Sequence, residues 1–179
     1  MYKSRYVIEH DPIDESFSEL PLEVQKEAAE GILYAQEKFG LKVLPYKIGA
    51  AKLIGKWGTY ELNNDGYRTI TINTDLADEK NKKEIFPTMV HEMAHFADAL
   101  QGDFSEDIIK IATKNLGLRI NSRETSILFS EITNKNYFDA SSAKSCKEIF
   151  AYSIEKVASK KGNKMSLEIY KIFKEIMNG

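Results

Sequence analysis

Phe86-Pro87-Thr88-Met89-Val90-His91-Glu92-Met93-Ala94-His95-Phe96-Ala97-Asp98-Ala99-Leu100 is the stretch from which the rest of the chain is best understood. It follows the charged cluster Lys80 to Glu84, and Pro87 is tolerable in the first turn of a helix, so a helix running to about Leu100 is predicted. An α-helix turns once every ~3.6 residues, which puts positions i and i+4 on one face. His91 and His95 can therefore converge on a single ion. Glu92 is rotated about 100° away by the same geometry, poorly placed as a third ligand and well placed to reach a water on that ion. Its expected role is general base. His10, the remaining histidine, is isolated near the N-terminus and reads as an ordinary surface residue.

H-E-x-x-H on a helix is the zinc-peptidase signature. A catalytic zinc needs a third protein ligand and one open position for water. The pattern H-E-x-x-H-x-x-G-x-x-H is not met, because Asp98 and Gln101 stand three and six residues after His95. A third histidine is thus excluded from the usual place, and a carboxylate on a later helix is expected, with Glu124, Glu131, Glu148 and Glu155 as candidates. Helical periodicity puts Glu148, Ala151, Tyr152 and Glu155 along one face, apart from the stripe of Ile149, Phe150, Ile154 and Val157. Small Ala151 would let that face approach the motif helix. Periodicity does not choose between Glu148 and Glu155.

The chain has 179 residues, 42% hydrophobic and 29% charged, enough for one well-packed core and one domain over 1–179. A formal net charge of −2 offers no global case for nucleic acid or an anionic membrane. The Lys-rich stretches at 80–83 and 160–164 read as solvated helix ends. No run approaches the ~20 apolar residues of a membrane span and the N-terminus lacks an apolar leader core, so a cytoplasmic protein is expected, with secretion from a longer precursor or release with a phage left open. The single cysteine, Cys146, excludes an intramolecular disulfide framework and reads as a buried packing residue.

Leu20 to Phe39 has apolar residues at helical spacing and Gly40 as a stop. Lys42 to Ile54 is β-prone, and the segments Trp57 to Leu62 and Tyr67 to Asn73 flank the turn signal Asn63-Asn64-Asp65-Gly66, so a small antiparallel sheet is predicted. Asp103-Phe104-Ser105-Glu106 looks like a capping box opening an Ile108 to Leu116 helix after Gly102, and further helices are expected near 123–133, 143–160 and 166–177. The fold class is α+β, mainly helical, with the small sheet preceding the H-E-x-x-H helix. Arg68 to Asn73 is expected at the sheet edge, where it could align an extended peptide. Asp98 shares the histidine face and is expected to accept from an imidazole N–H, or else to be a surface residue or a cap for a neighbouring loop.

His91 to Gly102, followed much later by Glu148-Ile149-Phe150-Ala151, resembles the anthrax-lethal-factor-like zinc metallopeptidases. It is most like the short members of phages and mobile elements and the secreted clostridial proline-specific endopeptidases. The resemblance covers mainly residues 68–158 and implies a zincin-like domain of gluzincin type, with His91, His95 and Glu148 as Zn2+ ligands and Glu92 as base. Two departures stand out. Ala94 replaces a common Gly, and Ser141 occupies the position, seven before the ligand glutamate, where the family commonly has an oxyanion-binding Tyr. Tyr137 is the substitute candidate for that catalytic role. The expected function is a zinc-dependent endopeptidase acting on a protein or peptide. The alternative is a non-catalytic structural or binding protein of a phage or mobile element.

Overall fold

Helix α3 (Ile85–Leu100) lies at the centre of the protein, packed against the long helices on either side of it in the sequence and against the sheet. The computed structural model describes residues 12–134 and 142–178. In chain order these form α1 (Glu15–Ser18), α2 (Leu22–Phe39), β1 (Lys47–Ala51), β2 (Gly58–Leu62), β3 (Arg68–Asn73) and a single 3-10 turn (Lys82–Glu84). After α3 come α4 (Ser105–Asn115), α5 (Arg123–Thr133), α6 (Ala143–Ala158) and α7 (Lys164–Asn178). The class is α+β and mainly helical, with a three-stranded mixed sheet.

Pro87 is the third residue of α3, where the missing N–H breaks no intrahelical bond. Met89, Val90, Met93, Ala94 and Ala97 are fully buried, which leaves only one sector of the helix for polar groups. On the α2 side the contact is very close: a Cβ on Gly31 would stand 2.7 Å from Met89 Cβ and 3.1 Å from the Phe86 carbonyl oxygen. Helix α2 ends as expected, with Gly40 in the left-handed region at φ 66° and its N–H on the Gln36 carbonyl. Behind α3, a cluster of Phe39, Phe104, Phe150 and Phe173 ties α2, α4, α6 and α7 together, its ring centroids 5.1–5.9 Å apart.

The sheet corrects two expectations. Its order is β1-β3-β2, and β1 runs parallel to β3, so it is mixed rather than antiparallel. The hairpin itself forms as predicted: β2 and β3 pair antiparallel around Asn63–Gly66, with Gly66 at φ 81°. Strand β3 is therefore central, not an edge. Ile70 and Ile72 are buried on one face and both backbone edges are paired, by β1 and by β2. Among the described residues the free edge belongs to β2. Asn73 N–H donates to Trp57 O and Asn63 N–H to Tyr67 O, each at 2.9 Å, which makes the odd-numbered residues of β2 the ones bonded to β3. Gly58, Tyr60 and Leu62 therefore turn their N–H and C=O groups away from β3.

The start of α4 is a third correction. Asp103 sits at φ 63° after Gly102, and its carboxylate meets Lys147 Nζ at 2.7 Å, so no capping box forms. Asp98 caps the helix instead, accepting from Ser105 N–H at 2.8 Å. Cys146 is buried, as a packing residue should be. Among the described residues no helix is long and apolar enough to cross a membrane.

Candidate metal centre

Two helices supply the centre. His91 and His95 project from the polar sector of α3, and Glu148 comes from the second turn of α6, which packs against α3. Ala151, one turn nearer the middle of α6, is fully buried, and its size permits the close approach. His91 Nε2 and His95 Nε2 lie 3.2 Å apart. Glu148 Oε1 is 3.4 Å from His95 Nε2, and its Oε2 is 3.8 Å from His91 Nε2. Three ligand atoms, one from each residue, fall within 4.8 Å of one another.

These spacings fit a metal ion. Atoms each about 2.1 Å from one tetrahedral ion stand about 3.4 Å from each other. Two imidazoles and one carboxylate make a donor set that several divalent transition metals accept, zinc among them.

Glu155 has a different part. Its Oε2 lies 3.1 Å from His91 Nδ1. A carboxylate only accepts, so Nδ1 donates to it, and the neutral ring keeps its Nε2 lone pair for the centre. Burial disfavours a charged His91, but the bond to Glu155 and the charges of Glu92, Glu155 and Glu148 outweigh it and raise the pKa. Of the remaining candidates, Glu124 pairs with Lys164 at 2.7 Å and Glu131 accepts from Asn163 at 3.0 Å, so neither joins the histidines.

Glu92 is buried beneath the free edge of β2. Burial pushes its carboxyl above the ordinary range, while His91, His95 and the Tyr60 N–H that donates to it pull the other way. A carboxyl with a raised pKa holds a proton better than a free one does. Aromatic rings flank both imidazoles: Tyr152 packs edge-on to His91 with centroids 4.4 Å apart, and Tyr60 stacks over His95 at 6.5 Å. All these groups open onto one cleft of about 640 Å³.

Asp98 does not meet an imidazole. Its Oδ1 is committed to Ser105 N–H, and its buried Oδ2 has no hydrogen-bond partner among the described residues. The alternative of a capping aspartate is the one realised. Tyr137, Ser141 and His10 lie outside the described residues. Sequence reasoning missed Tyr60 and Gly58, because nothing local marks a strand that will end up above a helix thirty residues on.

The protein is thus α+β, with a metal-capable His-His-Glu group in an open cleft, an acidic residue beside it and, among the described residues, a free strand edge above it. Comparison with protein-family models, with curated proteins and with solved structures finds no match.

Proposed function

We propose that the protein is a zinc-dependent endopeptidase of zincin-like, gluzincin type, hydrolysing a peptide bond in a protein or peptide substrate. The observation that carries this is the convergence of His91, His95 and Glu148 with Glu92 one residue away from the first of them. The resemblance of His91–Gly102 and Glu148–Ala151 to lethal-factor-like peptidases supports the same reading.

The chain's own groups divide the work. Gly58 and the Tyr60 carbonyl turn outward from β3 at the cleft, the Tyr60 N–H being engaged by Glu92, and an extended peptide would add there as a further strand. His91, His95 and Glu148 would hold the metal, with Glu155 fixing the His91 tautomer. Bound there, zinc supplies Lewis acidity, which polarises a carbonyl and acidifies water. Glu92 takes the proton of the attacking water and returns it to the leaving amine. Tyr137 is proposed to donate to the developing oxyanion.

Glu92→Gln tests the assignment. Zinc content should stay at the wild-type level while peptide hydrolysis falls by about 10²–10⁴-fold, as for loss of a general base. Full turnover in that variant removes Glu92 from the chemistry. Stoichiometric zinc in the wild type with no turnover across a peptide library would favour the non-catalytic binding role.

A further inference from the structure

Asn73, the last residue of β3, is 2% exposed and takes part in no catalytic contact, yet every hydrogen-bonding position of its side chain is used. Its Oδ1 accepts from Leu53 N–H and Asp75 N–H, each at 3.1 Å. Its Nδ2 donates to Leu53 O at 2.8 Å and to Lys56 O at 2.6 Å. Its backbone N–H adds a bond to Trp57 O at 2.9 Å. Beyond these bonds, the connection from β1 to β2 has an exposed ion pair between Lys52 Nζ and Asp75 Oδ2 at 3.0 Å. Ile54 is 96% exposed, Lys52, Gly55 and Lys56 are exposed, and Gly55 sits at φ 67°.

That connection leads directly into the part of β2 that touches the candidate base. A Cβ on Gly58 would lie 2.9 Å from Thr88 Cγ2, 3.1 Å from Glu92 Cγ and 3.2 Å from Glu92 Oε1. Glycine at position 58 is what lets β2 lie this close to Thr88 and Glu92, and the Tyr60 N–H of the same strand faces the Glu92 carboxylate. The strand enters this contact from Leu53, Lys56 and Trp57, which Asn73 holds, and continues in its ladder with β3.

We propose that Asn73 is a positioning residue for the cleft: by clamping the 53–57 connection it fixes the free edge of β2 over Glu92, and so the line along which an extended peptide is held. The proposal rests on the peptidase reading for its substrate, though the clamp can be measured without catalysis. Asn73→Asp keeps the shape but turns an acceptor toward two carbonyls, and Asn73→Ala removes the clamp outright.

In both variants, amide hydrogen exchange over residues 53–62 should quicken about tenfold or more, with α3 and α6 unchanged. On a peptide that the wild type cleaves, KM should rise about tenfold with kcat within about threefold and zinc content unaltered, because binding geometry is lost rather than chemistry. Wild-type exchange over 53–62 overturns the proposal. So does faster exchange spread equally through α3 and α6, or a fall in kcat with KM unmoved, since either makes Asn73 a general support of the fold. A wild type that holds no zinc and cleaves nothing defeats the peptidase reading separately, and the exchange pattern still decides the clamp.

Discussion

Glu148 and Glu155 stand two turns apart on one face of α6, and what separates them is the imidazole nitrogen each one meets. Glu148 reaches both Nε2 atoms, whereas Glu155 reaches His91 Nδ1. Sequence spacing put both on the right face but could not rank them, because the ranking depends on how far along its axis α6 is set against α3. The distinction is measurable. Glu155→Ala should weaken zinc binding about 10–100-fold, the usual loss for a residue that orients a ligand, while zinc at saturation still binds one per chain. Glu148→Ala removes the proposed third ligand and should lose more. Zinc titration with a competing chelator decides it, and a larger loss in Glu155→Ala than in Glu148→Ala would exchange the two assignments.

At the scale of the elements, α3 has to be gripped on several sides for its polar sector to stay aligned. Gly31 supplies one side by letting α2 come within contact of the Phe86 carbonyl and Met89. Gly31→Ala should gain about 1 kcal/mol in helix propensity and lose about 1–3 kcal/mol to overpacking, and a backbone oxygen cannot rotate out of the way. A net loss of up to about 2 kcal/mol is expected, seen as a melting temperature lower by several degrees. A raised melting temperature would show that α2 can move off without cost. The same scale explains Asp98. It lies on the histidine face, but the turn after α3 brings Ser105 N–H to it first, and one orphan oxygen remains buried there. Burial accordingly raises its pKa, against the pull of Ser105.

For the molecule as a whole, the N-terminal segment closes against the far strand of the sheet. Asp14 N–H donates to Ile48 O at 2.8 Å, Ser16 Oγ accepts from Ala50 N–H at 3.0 Å, and Asp14 pairs with Lys47 at 2.7 Å. The bond from Lys47, followed by those from Ser16, lowers the Asp14 pKa from 3.8 to about 2. A carboxylate depressed in the folded state contributes stability that is fully present above its unfolded pKa and is lost as pH falls through the folded one. The stability difference between wild type and Asp14→Asn should therefore be largest near neutrality and shrink between pH about 4 and about 2. Urea unfolding of both proteins at pH 6 and pH 2 checks this, and a constant difference would remove Asp14 from the acid response.

The residues from His91 to His95, the helices around them and the β2–β3 hairpin were legible in the sequence because each depends on neighbours within a few positions: helical period, a proline in a first turn, a glycine stop, an Asn-Asp-Gly turn. The α5 prediction, 123–133, coincides with the helix for the same reason. Contacts between distant segments were not legible. That β1 joins β3 in parallel, that β2 rather than β3 keeps the free edge, that Asp98 caps α4 and that Glu155 holds His91 Nδ1 all result from how separately formed elements pack. Which side chains were candidates to bind a metal could be read from the order of residues alone, since periodicity is a local property of the backbone. Which of them meet came from packing, since close packing fixes the relative height and rotation of elements that no local preference relates.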